Sequence, residues 1–283
     1  MAHGLLALDP VTTAPRNEQV AAVFHGPISA EERHSHEWCA YFELNKTRLL
    51  DIPWHRGAGL TPDDMTAVIP SLQEFQLGES SEGTNLRRLA EAEAIARNDP
   101  LYAVAMRLFI AEEHRHADAM GKFLDLAGVP RLKATSGDFV FRRLRRALGL
   151  ETMIVVLLTA EIIAKVYYRA LYFASESPVL RRICAQLLRD ELKHVDFHTE
   201  RLRLMRRGRA PWRRRLVDLA TRTLFGGTCF VVWLRHRRPL RRGGYGLRRF
   251  WSALWAEFEK AYGERDVIPS SWTSTCRAPV PGR

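Results

Sequence analysis

Two Glu-x-x-His steps lie far apart in this chain, Glu113 to His116 and Glu191 to His194. A carboxylate and an imidazole three residues apart share one face of a helix, so each step can turn both groups toward one metal ion. Another glutamate precedes each step, Glu79 before Glu113 and Glu161 before Glu191. The separations are about thirty residues, which is half a helix, a turn and half a helix for antiparallel helices of about 25 residues. Four carboxylates and two imidazoles are the ligand set for two metal ions in a four-helix bundle.

The bare step is weak evidence. Twenty glutamates and ten histidines make about one such match expected by chance, and a third does occur, Glu31 to His34. That one lies in a short polar stretch and is expected to be unrelated. Glu161 is more informative, because it interrupts the apolar run from Met153 to Ala164. An ionised carboxylate buried there without a partner costs several kcal/mol. Four carboxylates against two divalent ions make a neutral cluster that a dry core tolerates. Mixed carboxylate and imidazole ligation suits iron, and also manganese, better than a thiolate-seeking metal.

The elements that must carry these groups read as helices, and no run alternates like a strand. Thr61-Pro62-Asp63-Asp64 is a helix start, with a capping hydroxyl, proline in the first turn and early acids. The first helix is expected over 62–97, with Asn98-Asp99-Pro100 ending it and opening a second that runs to about 126. A short helix is expected over 138–148. The third helix is expected over 151–174, and Ser177-Pro178 opens a fourth that stops at Gly208. Within the first helix Glu79 shares a stripe with Leu72, Phe75, Gln76, Gly83 and Leu86, which favours it over Glu82 or Glu74 as the ligand. A helix from about 30 to 50, with Trp38, Tyr41, Phe42, Asn45 and Leu49 on one side, is expected to pack outside the bundle. After Gly208 a helix over 216–234, weakened by Gly226-Gly227, is expected to cover the bundle. Its clean part is too short to span a membrane, and the alternative is an interfacial helix with arginines at the headgroups. A last amphipathic helix carries Phe250, Trp251, Trp255 and Phe258. The domain reading is a leader and accessory helix over 1–60, a di-metal bundle over 61–207 and a basic helical extension over 208–283.

Ala111-Glu112-Glu113-His114-Arg115-His116-Ala117-Asp118 resembles the second helix of soluble acyl-carrier-protein desaturases, and Arg189-Asp190-Glu191-Leu192-Lys193-His194 resembles the fourth helix of the ferritin-like carboxylate-bridged di-iron superfamily. The similarity covers about residues 62–207. It implies an all-α, ferritin-like four-helix bundle with additional N- and C-terminal helices. It also implies two iron ions (Fe2+/Fe3+), with Glu79 and Glu161 as terminal or bridging ligands, Glu113 and Glu191 as bridges, and His116 and His194 capping one ion each. The activity implied is an O2-activating oxidation of an organic substrate, of the oxygenase or desaturase type, with an electron donor. Alternatives are a ferroxidase or peroxidase-like protein of the ferritin and rubrerythrin kind, a di-iron tRNA-modifying hydroxylase, or a metal-free helper on the same fold. Tyr168, two turns after Glu161, is a candidate redox or hydrogen-bonding residue beside the metals. His198, Asp190 and Asp118 are further candidates for the cluster's surroundings. Where the desaturases carry a threonine three residues after the third-helix glutamate, this chain has Ala164, followed by Lys165.

The composition is that of an ordinary soluble protein, 46% hydrophobic and 27% charged. Four cysteines in no Cys-x-x-Cys pair exclude a disulfide framework and a rubredoxin-type iron centre. They fit a reducing cytoplasm, and Met1 to Asp9 has no basic leader or cleavage pattern. The net charge of +11 is concentrated between Arg201 and Arg249, where Asp218 is the only acid. Such a stretch suits an acidic partner: an acyl carrier protein, an electron-transfer protein, RNA or an anionic membrane surface, which would make the protein peripheral to the membrane.

Overall fold

The computed structural model describes residues 30–81, 83–133 and 149–263. Nine α-helices lie among these residues, with no strand: α1 Ala30–Asn45, α2 Pro62–Ala67, α3 Ile69–Glu79, α4 Thr84–Ala96, α5 Pro100–Leu126, α6 Leu150–Ala174, α7 Pro178–Arg206, α8 Pro211–Arg242 and α9 Leu247–Tyr262. The expected leader and the expected short helix over 138–148 lie outside the described residues, as does Glu82.

The helix starts follow local chemistry. Thr61 Oγ1 accepts from Asp64 N and the Asp64 carboxylate accepts from Thr61 N, a reciprocal cap at α2. Asp99 accepts from Tyr102 N ahead of Pro100, and Ser177 accepts from Leu180 N ahead of Pro178.

The expected single helix over 62–97 is a correction. It is broken into α2, α3 and α4, with the main break directly after Glu79. Gly83 caps α4 in the left-handed region at φ 65°, and a Cβ there would meet Ile110 at 2.8 Å. The backbone turns there because glycine alone tolerates both the dihedral and the close approach of α5. Glu79 therefore ends a helix, and the stripe supposed to join it to Gly83 and Leu86 does not exist.

α6 is the axis of the molecule. It packs along α7 and also against α4, α8 and α9, while α5 packs against α1, α3, α4 and α7. Leu158, Ile162, Val166 and Tyr167 of α6 are fully buried, which explains why its sequence is apolar almost all round. α8 runs unbroken through Gly226 and Gly227, and its irregular point is His236, ahead of Pro239. The expected weakness at the glycine pair is not there, because packing on α6 offsets about 1 kcal/mol per glycine.

Candidate metal centre

α5 and α7 bring the two Glu-x-x-His steps face to face. Ligand atoms of Glu113, His116, Glu191 and His194 all lie within 4.8 Å of one another. His194 Nδ1 is 2.9 Å from Glu113 Oε1 and 3.6 Å from Glu191 Oε2. His116 Nδ1 is 3.6 Å from Glu191 Oε1 and 3.8 Å from Glu113 Oε1. Glu161 reaches in from α6, with Oε2 3.7 Å from His194 Nδ1. Glu79, at the end of α3, stands beside Glu113 and accepts a hydrogen bond of 2.5 Å from Tyr168 Oη. Six groups from four helices converge on one place in the interior.

An outer ring holds the imidazoles. His116 Nε2 is 3.1 Å from Asp190 Oδ2 of α7, and His194 Nε2 is 3.5 Å from Glu112 Oε2 of α5. Each step is thus preceded by an acid that crosses to the opposite helix's histidine. Asn45, the last residue of α1, donates from Nδ2 to Glu112 Oε1 and, at 2.9 Å, to Asp190 Oδ1. Gln186 Nε2 adds bonds of 2.9 and 2.8 Å to Asp190, and Arg115 Nη2 one of 2.6 Å to Glu112. α1 packs against α5 from outside, as its stripe predicts, and its last residue completes this ring. Glu112 and Asn45 were missed in the sequence, although an amide at the stripe position of Trp38, Tyr41 and Phe42 is itself a signal.

The cluster is electrostatically loaded. Burial, then the charges of Glu113 and Glu161, push Glu79 well above the usual carboxylate range. Burial and the Glu161 charge do the same to Glu191. Burial also opposes ionisation of Glu161, but its close approach to Glu191 and His194 and the positive charge of His194 and His116 outweigh it and hold that carboxyl low. Burial would keep His194 neutral, yet Glu113 and the other facing carboxylates raise its pKa well above the ordinary value. Asp190 is pulled down to about 2 against its burial, chiefly by His116. Protons thus stand where cations would balance the same charge.

The donor set fits a metal ion. Glu113 Oε1, both Glu191 oxygens and Nδ1 of His116 and His194 are fully buried with no hydrogen-bond partner among the described residues. His194 Nδ1 and Glu113 Oε1 stand 2.9 Å apart without hydrogen-bond geometry, close enough to share one ion. Two atoms bound to one ion at about 2.1 Å are at most about 4.2 Å apart, and the histidine–carboxylate separations of 2.9 to 3.8 Å meet that limit.

Other sequence candidates separate clearly. His198 lies at the edge, Nε2 4.0 Å from Glu161 Oε1, and burial followed by the His194 charge lowers its pKa to about 3. Asp118 is exposed and takes no part. His34 faces Glu200 at 3.9 Å, away from the cluster. Glu74 pairs with Arg235 instead. Lys165 turns its ammonium to Glu257 of α9 at 2.6 Å.

A cavity of about 490 Å3 opens beside the carboxylates. Glu79, Glu113 and Glu161 form its polar end, and Phe109, Ile110, Met153, Val156 and Leu157 are among its apolar walls. α8 closes one side with Thr228, Val231 and Val232.

No family model, no curated protein and no solved structure matches this chain.

Proposed function

We propose that the protein is an O2-activating di-iron oxidoreductase on a ferritin-like four-helix bundle. The bundle positions are α3 with α4, α5, α6 and α7, within residues 61–207, and residues 208–283 are an extension. One observation carries the reading: each histidine turns Nδ1 to the shared carboxylates and Nε2 to an acid from the opposite helix. Such a partner on the outer nitrogen sets the tautomer and raises the basicity of a metal-binding imidazole.

Glu79, Glu113, His116, Glu161, Glu191 and His194 would hold two iron ions, and the same donors accept manganese. Bound there, a ferrous pair supplies electrons and open coordination positions for O2. The protein's own residues do the rest. Asp190 holds the Nε2 proton of His116, and Glu112 faces Nε2 of His194 at 3.5 Å. The four carboxylates balance the charge of the oxidised state. Tyr168 holds one oxygen of Glu79 and fixes that side chain at the end of its helix. The apolar walls of α5 and α6 exclude water and seat an apolar segment of the organic substrate next to the carboxylates. An external donor returns the electrons used in each cycle.

Anaerobic ferrous titration tests the assignment. The expected result is about two irons per chain, lost when Glu191 and His194 are both replaced by alanine in a protein that keeps its helical circular dichroism. Unchanged iron content in that variant would overturn the ligand set. Elution as a very large oligomer holding many irons per chain would replace the oxygenase reading with a storage one. Oxygen consumption by the iron-loaded protein with acyl, aryl-amine and tRNA substrates then identifies the substrate class.

A further inference from the structure

α8 presents two different faces. Thr221, Phe225, Cys229 and Trp233 recur every four residues and are buried. Trp212, Leu216, Leu219, Phe230 and Leu234 are between 49% and 63% exposed. Their steps of three, four and eleven residues are close to whole turns, so they form one stripe, opposite the buried face. By length and composition α8 is the one helix among the described residues that reaches the requirement for crossing a bilayer, and only 22% of its most apolar stretch is buried.

Crossing is not what this helix is built for. It packs on α6 and α9, and Arg242 ties its end to Asp64 at 3.1 Å and to Ala174 O at 2.7 Å. Asp218 and Arg222 interrupt the apolar stretch. The uncharged part, 223–234, is about 18 Å long, against about 30 Å of hydrocarbon. An exposed apolar stripe on a helix that cannot leave the protein suits a surface on which the helix lies flat.

Charge selects the surface. Arg213 and Arg215 stand exposed at one end of the stripe, and Arg237, Arg238 and Arg241 at the other. Asp218, the only acid of α8, faces Arg206. Pairing two copies through this stripe would bring like-charged ends together. RNA would meet the arginines but leave the apolar side chains in water.

We propose that the outer face of α8 seats on the anionic headgroup layer of a membrane. The stripe enters the acyl boundary and the arginines at both ends meet lipid phosphates. Trp212 supplies an aromatic anchor at the level of the headgroups. Val231 is 59% exposed and also lines the cavity beside the carboxylates. Docking therefore sets the cavity wall at the acyl boundary, and the substrate is a membrane-borne aliphatic compound. This last clause rests on the oxidation reading above, and the docking does not.

Flotation of the full chain with vesicles tests the surface. Retention is expected on phosphatidylcholine vesicles containing phosphatidylglycerol and not on phosphatidylcholine alone. Phe230→Glu is expected to weaken it about tenfold or more, and Arg237→Gln with Arg238→Gln about fivefold per charge. Neither variant touches the carboxylates, and both are expected to bind iron as the parent does. Absence of retention on anionic vesicles, or equal retention of parent and Phe230→Glu, overturns the docking. A dimer that Phe230→Glu dissociates, or salt-sensitive RNA capture in place of vesicle retention, also overturns it and assigns the face to a second copy or to RNA. Vesicle retention by a parent protein that binds no iron keeps the docking and sinks the oxidation reading.

Discussion

Asn45 Nδ2 sits between two buried acids, Glu112 and Asp190, that would otherwise face each other with no donor between them. Replacing it with alanine leaves both carboxylates short of a hydrogen bond, at a cost of about 1–3 kcal/mol. The imidazoles then lose their fixed orientation, and the expected drop in ferrous affinity is about 10–100-fold. Denaturant unfolding and anaerobic ferrous titration of Asn45→Ala check both effects, and parental values in both would remove Asn45 from the site. The inner residues are legible from spacing, because a Glu-x-x-His step is a property of one helix. Asn45 and Glu112 are not. Asn45 meets partners 67 and 145 residues away, and Glu112 is a neighbour of Glu113 whose role exists only where α7 crosses.

Among the elements, α9 is fastened to α6 by the buried pair of Lys165 and Glu257, 2.6 Å apart. Burial raises the Glu257 pKa, but the hydrogen bond and charge of Lys165 outweigh it, so the carboxyl titrates below its ordinary 4.5. A depressed carboxylate stabilises the fold above pH 4.5 and loses that contribution as pH falls through the folded value. Fluorescence of Trp251 and Trp255 on α9 should therefore change on acidification below that range. Glu257→Gln should lose about 3 kcal/mol at neutral pH by stranding Lys165, and it should lack this acid step. An acid profile identical in the two proteins would show that the pair does not hold α9. At this scale sequence reading succeeds for α5 and α7, whose caps and prolines are local, and for α6, whose apolar run is continuous. It fails at the Glu79 break, because Gly83 answers to Ile110 on another helix.

The whole molecule has a core in which four glutamates and two histidines replace apolar packing. Ions that bind only the folded chain add about 4 kcal/mol of stability at a thousandfold excess over Kd. For a chain of this size that is a rise of roughly 10 °C in Tm. Thermal unfolding with ferrous ion and with chelator checks this, and coincident curves would contradict a metal-binding core. Uptake should also release protons, since Glu79 and Glu191 hold theirs above the usual range. α8 shows the limit of sequence reading at this scale. It was expected to cover the bundle, and one face does, while the other is left apolar and bare.

The amino-acid order alone determined the helical class and the two Glu-x-x-His steps that meet in the interior, because period, capping and three-residue spacing are written within single turns. Only the tertiary structure decided which imidazole nitrogen faces inward, that α1 closes the outer ring, and which side of α8 meets solvent. Those features are contacts between segments distant along the chain, and no local pattern encodes which segment arrives.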